Sequence, residues 1–181
     1  MSKAAQELLG QMYGRTHGLS VVRVRPFAVI GPRKRRDSLS DFARGIIRVE
    51  QGEVAHLSVG NLEAVRDFVD VRDAVRAITL LTERGEAGEV YNLCTGIPRS
   101  LREMVEQLIE ISGRSIPMVV DPARLRRADD PVLVGDPARL TRLGWRPEIP
   151  LRETLADILA FWRSQTLSAP AVHSRGGNGS V

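Results

Sequence analysis

Apolar residues recur at helical spacing over residues 3–17. Ala4, Ala5, Leu8, Leu9, Met12 and Tyr13 share one face there, and Gly18 supplies a stop. The β-branched run at 19–27 predicts a strand that Pro26 terminates. Beyond the loop Gly31-Pro32-Arg33, a second helix carries Leu39, Phe42, Ala43, Ile46 and Ile47. Short strands are expected at 56–59 and 67–69, then a helix over 71–84 that Gly85 closes. Strand 90–94 leads through Thr95-Gly96 to helix 101–112, which begins at a capping box formed by Ser100 and Glu103. A strand at 116–120 is confined to an edge or a strand start by Pro117, and Asp136-Pro137 opens a short helix. The last helix, 151–163, places Leu151, Leu155, Ile158, Leu159 and Trp162 on one face.

Strands alternating with helices predict an α/β protein. The first element, however, is a helix with no strand before it. The short β pieces over some 160 residues do not make one complete doubly wound sheet. The order of elements therefore reads as the second half of a larger fold.

The 181 residues are 43% hydrophobic and 27% charged, enough apolar content for a sizeable core. That balance excludes full disorder and collagen-like or coiled-coil composition. No apolar run approaches the roughly 20 residues of a membrane span, and the N-terminus carries no signal-peptide pattern. A single cysteine, Cys94, excludes an internal disulfide framework or a cysteine-rich zinc site. A cytoplasmic protein without a membrane partner is the expectation.

The net charge is +4 and the isoelectric point about 10.0. Of 26 cationic residues only Lys3 and Lys34 are lysines. Arginine forks suit phosphate oxygens, whereas lysine offers a point charge. A nucleic-acid binder would carry a longer basic stripe interleaved with aromatics, and aromatics make up only 4%. A small phosphorylated ligand is therefore expected rather than nucleic acid. The run from Arg33 to Arg36 reads as a solvated loop able to steer an anionic ligand.

The most informative stretch is Gly60-Asn61-Leu62-Glu63-Ala64-Val65-Arg66-Asp67-Phe68-Val69-Asp70-Val71-Arg72-Asp73. Asp70 is read as the cap of the following helix and Asp73 as a favourable charge in its first turn. Arg66, at a loop edge before a strand, has a fork that could reach an anion. His17 and His56 lack partners at metal-ligand spacing, so no metal site is expected. Cys94, Trp145 and Trp162 are expected in the interior.

Five stretches in order carry a resemblance to a family. They are Ser2-Lys3 opening a helix, Arg25-Pro26-Phe27 with Gly31-Pro32, and Arg66-Asp67-Phe68 with Asp70-Val71. Tyr91-Asn92-Leu93 with Gly96 and Gly144-Trp145 with Pro147 complete the set. Over about residues 1–163 the chain resembles the C-terminal part of an extended short-chain dehydrogenase/reductase, the NAD(P)-dependent nucleotide-sugar epimerase/dehydratase family. The resemblance implies the C-terminal part of a Rossmann-type doubly wound sheet plus a smaller nucleotide-sugar-binding α/β domain. It assigns residues 1–32 to the last helix and strand region of the Rossmann domain. Residues 33–165 become mainly the nucleotide-sugar domain with returning Rossmann elements, and 166–181 a disordered tail.

Within the family, residues 60–68 and the Leu125-Arg126-Arg127-Ala128-Asp129-Asp130-Pro131 segment most resemble the GDP-mannose branch. They are closer to its 4-keto reductases than to its 4,6-dehydratases, and the dehydratase reading, like that of another sugar-nucleotide epimerase, stays open. The resemblance implies that Lys3 is the catalytic lysine that also binds the nicotinamide ribose and lowers the pKa of a tyrosine. Pro26, Phe27 and Ala28 would pack along the nicotinamide and sugar, although an asparagine is common where Ala28 stands. Arg66 would grip the diphosphate, and Arg126 with Asp129 would hold the nucleotide ribose. Neither a Tyr-x-x-x-Lys motif nor a glycine-rich dinucleotide turn occurs in the sequence. The expectation is that NAD(P) serves the full-length enzyme, a homodimer acting on a GDP-sugar, and that this chain alone lacks turnover. A non-catalytic nucleotide-sugar-binding module is the competing reading.

Overall fold

The computed structural model describes residues 2–125 and 130–167. Six helices are present there: α1 Ser2–His17, α2 Ser38–Glu50, α3 Val71–Arg84, α4 Leu101–Ser112, α5 Ala138–Arg142 and α6 Leu151–Leu167. The strands are β1 Arg23–Pro26, β2 Ala28–Ile30, β3 Leu57–Val59, β4 Val65–Asp70, β5 Val90–Leu93, β6 Pro98–Ser100, β7 Met118–Val120 and β8 Val132–Leu133. A 3-10 turn spans Pro122–Arg124.

β1 pairs in parallel with β5, β2 with β4, and β3 with β7. β4 also takes β6 antiparallel and β8 in parallel. The architecture is mixed α/β with parallel pairing at its centre, as expected. The run at 19–27 is not one strand ended by Pro26. The backbone steps from one sheet to another at Phe27, whose N–H donates to the Leu93 carbonyl, and resumes as β2 beside β4. α6 extends four residues past the expected 163, and residues 168–181, most of the expected tail, lie outside the described residues.

Two hydrophobic clusters lie on either side of the β2–β4 pair. One joins α2, α4 and α6 through Phe42, Ile46, Leu108, Leu155 and Ile158, with Leu57 and Val59 of β3. The other joins α3 to β5 and α5 through Ala77, Leu81, Leu93, Leu140 and Trp145, with Val22 and Val24 beside them. Val24 of β1 and Val22 just before it thus turn toward α3 and the arginines of β1 the other way, as period-two alternation requires. On that other side Arg23 and Arg25 meet Glu7 of α1.

The α1 face read as amphipathic finds no interior among the described residues. α1 has no buried residue, and Leu8 is 65% and Leu9 51% exposed. Caps are set locally. Asp70 accepts from the Arg72 N–H and Ser100 from the Glu103 N–H, as expected, while the Glu103 carboxylate turns to Arg99. Among the described residues no helix is long and apolar enough to cross a membrane, and no group of acidic, cysteine and histidine side chains is placed to hold a metal.

Candidate functional site

The parallel register of β2 and β4 sets Ala28 opposite Phe68. One end of this pair opens into a cleft of about 450 Å³ between the strands, the start of α2 and the 60–61 turn. Gly60 permits that enclosure, because a Cβ there would stand 2.7 Å from the Arg124 carbonyl oxygen. Asn61 completes the turn by accepting from the Glu63 N–H. The apolar wall is Ile30, Leu39, Phe42, Phe68 and Leu101, and the polar groups are predominantly cationic: Lys34, Arg36, Arg66 and Arg124. Asp37 and Asp41 stand at the mouth of α2. Asp37 is engaged as the N-cap of α2 and with Lys34, 3.2 Å away.

Arg66 does line the cleft, but from inside a strand. β8 on one side and β6 on the other extend β4 back to Val65, so the expected loop edge is paired backbone. Its Nη1 donates to the Val65 and Asp130 carbonyls, each at 2.8 Å, which orients the fork and draws the 130 segment to the cleft. Arg126 and Asp129 lie outside the described residues, four and one positions from that anchor.

Asp67 points the other way, as the next residue of a strand must. It is fully buried and accepts from the Thr95 N–H and hydroxyl at 2.7 Å each, the Gly96 N–H at 2.8 Å and the Gly135 N–H at 3.3 Å. Gly135 is pinned against Phe27: a Cβ there would approach the Phe27 ring and the Cys94 sulfur to 2.6 Å each. One carboxylate therefore ties β4, the turn after β5 and the 130–135 segment to the Phe27 turn. Burial, with the Asp67 charge nearby, pushes the Cys94 thiol up to about 12. Cys94 is thus an inert interior group, as expected.

Lys3 is exposed in the first turn of α1. α1 runs antiparallel to β1: Gly14 and Gly10 lie against Val21, and Glu7 bonds Arg25. One further helical turn, about 6 Å, brings Lys3 level with Pro26 and Phe27. All three therefore lie at the carboxyl end of β1, the end where open parallel sheets receive ligands. A lysine beside an apolar turn at that end is a set of groups that could hold a nicotinamide ribose and its ring.

Asp70 and Asp73 exceed the capping roles read from sequence. Asp70 also binds the Thr154 hydroxyl and the Arg72 guanidinium, and Asp73 accepts from the Glu148 and Ile149 N–H groups. Lys34, Arg36, Asp37 and Arg124 also line the cleft, beyond the site residues expected from sequence. The available signal was Asp37 standing as an N-cap before an apolar-periodic run.

The family model described as GDP-mannose 4,6 dehydratase matches residues 1–158. The chain is 42% identical over 169 residues to the GDP-6-deoxy-D-mannose reductase of Pseudomonas aeruginosa, covering 91% of this chain and 55% of that protein. It is 30% identical over 140 residues to the GDP-6-deoxy-D-talose 4-dehydrogenase of Aggregatibacter actinomycetemcomitans, covering 77% of this chain and 46% of that protein. The solved structure of RMD from Pseudomonas aeruginosa complexed with NADPH superposes with a TM-score of 0.84 at 40% identity, over 91% of this chain and 55% of that one. The UDP-glucose 4-epimerase of Thermotoga maritima with UDP-glucose gives 0.80 at 29% identity, over 91% and 52%. The chain spans about half the length of the curated relatives it matches.

Proposed function

The chain belongs to the GDP-mannose 4,6 dehydratase family, and from that premise we propose that it carries the nucleotide-sugar side of an NAD(P)-dependent GDP-sugar oxidoreductase. The reading we favour is the GDP-4-keto-6-deoxy-D-mannose reductase, which yields GDP-rhamnose. The observation that carries it is the cationic cleft beside Ala28 and Phe68, with Arg66 oriented in its wall. The 42% identity to a GDP-6-deoxy-D-mannose reductase supports the choice over a dehydratase.

In this reading Arg66 grips the diphosphate while the apolar wall of α2 takes the base. Arg126 and Asp129 hold the ribose from the segment that Asp130 anchors. Pro26, Phe27 and Ala28 face the nicotinamide and the sugar ring, and Lys3 binds the nicotinamide ribose. When bound, the reduced nicotinamide would supply the hydride that turns the 4-keto carbon into an alcohol. The residues of this chain hold the sugar at the carboxyl end of β1 and keep its diphosphate fixed. In the full enzyme the exposed face of α1 is the proposed homodimer contact.

Calorimetric titration of the chain with GDP tests the site, with UDP and NADPH titrated alongside. GDP is expected to bind and NADPH not to bind this chain alone. Arg66→Ala should weaken GDP by about 1.5–3 kcal/mol, the worth of a charge-assisted hydrogen bond. GDP affinity unchanged by that substitution would remove Arg66 from the site.

A further inference from the structure

Four cations line the cleft, and three of them already have partners. The Lys34 ammonium donates to the Val29 carbonyl and pairs with Asp37. Arg124 lies 3.6 Å from Asp121, and Arg66 is held by two main-chain carbonyls. Arg36 has no hydrogen-bond or ion-pair partner among the described residues.

Its backbone is also unusual. Arg36 has φ +64° and Arg33 φ +68°, the left-handed region that a residue with a Cβ rarely adopts. The loop is fastened on both sides of Arg36. The Lys34 carbonyl accepts from the Ser40 hydroxyl at 2.6 Å, and Asp37 caps α2 through the Ser40 N–H at 2.8 Å. The two strained positions turn the chain so that Lys34 and Arg36 line the cleft, while Arg33 and Arg35 do not. A non-glycine residue persists in such a conformation only where its surroundings enforce it, and such residues gather at ligand clamps.

We infer that Arg36 is a second arginine of the diphosphate grip, completing with Arg66 a two-sided clamp on the nucleotide sugar. The inference rests on the GDP-sugar reading of this cleft. A diphosphate bears charge on both phosphates, and one planar fork cannot face both sides of it. Lys34 and Arg124 are paired with aspartates, so Arg36 is the charge left to meet the ligand together with Arg66. Because the loop is pinned on both sides of it, Arg36 acts by contact and not by long-range steering. Contact slows dissociation, whereas steering raises the association rate.

Stopped-flow binding of GDP carrying a fluorescent methylanthraniloyl group separates these. Arg36→Ala should raise the off-rate about tenfold with the on-rate nearly unchanged. Arg35→Ala, which removes the same charge from the same loop outside the cleft, should leave the off-rate unchanged. Arg36→Lys, a point charge without the fork, should recover part of the loss. Arg36→Gly relaxes the left-handed backbone, so its melting temperature should match or exceed that of the parent while the off-rate still rises. Equal effects of the Arg35 and Arg36 substitutions, or a change in on-rate alone, would overturn the clamp and leave the GDP site standing. An unsubstituted chain that fails to bind GDP would overturn the site itself, and the clamp with it.

Discussion

Asp70 shows how much one side chain can do in this chain. Burial pushes its pKa up, but bonds from the Arg72 guanidinium, the Thr154 hydroxyl and the Arg72 N–H outweigh that and hold it below the usual carboxylate range. A carboxylate with a depressed pKa contributes stability that is complete above the ordinary aspartate value of about 4 and is lost as pH falls through the depressed value. Asp70→Asn should therefore lower the unfolding free energy at pH 7 by roughly 2 kcal/mol. The gap between variant and parent should begin to narrow below about pH 4 and close only below the depressed value, where both side chains are neutral. Urea unfolding at pH 7 and pH 3 measures this, and a gap independent of pH would contradict it. Sequence marked Asp70 as a cap because the cap bond is local. The bond to Thr154, 84 positions away, has no local signature.

At the scale of elements, boundaries set by nearby caps were legible. Helices 71–84 and 101–112 match α3 and α4, because Asp70 and Ser100 satisfy N–H groups of the first turn only two and three residues on. β6, β8 and the turn at Pro122–Arg124 were not foreseen. Strands of two or three residues exist only by pairing with β4, and residues that short carry no period to read. α1 is the opposite case, a helix read correctly whose apolar face has no cover among the described residues. Leu8, Leu9, Met12 and Tyr13 are all exposed, and β1 pairs on one side only among the described residues. Such a surface favours association. The chain is expected to self-associate, and Leu9→Glu with Met12→Glu should shift it toward monomer in sedimentation velocity. A parent chain that stays monomeric at high concentration would contradict this.

At the scale of the whole molecule, two hydrophobic clusters meet across the β2–β4 pair, and the cleft opens there. Asp67 links that seam to the Phe27 turn through Gly135, so the cleft and the Phe27 turn share one support. Joining the chain to the part of the Pseudomonas aeruginosa reductase that it does not match tests the favoured activity. The chimera is expected to oxidise NADPH with GDP-4-keto-6-deoxymannose and to leave GDP-mannose unchanged. Formation of the 4-keto sugar from GDP-mannose would favour a dehydratase instead. The sequence by itself determined the α/β class, the family and the long helices, because periodicity, caps and spaced motifs are local properties of a chain. It also pointed to Arg66 and to a phosphorylated ligand. Only the tertiary structure decided that Arg66 sits within a strand, that Asp67 is the buried support, and that Arg36 alone among the cleft cations lacks a partner among the described residues. Those facts depend on which distant groups fold against one another, and burial and pairing between distant segments are not written in any one stretch of chain.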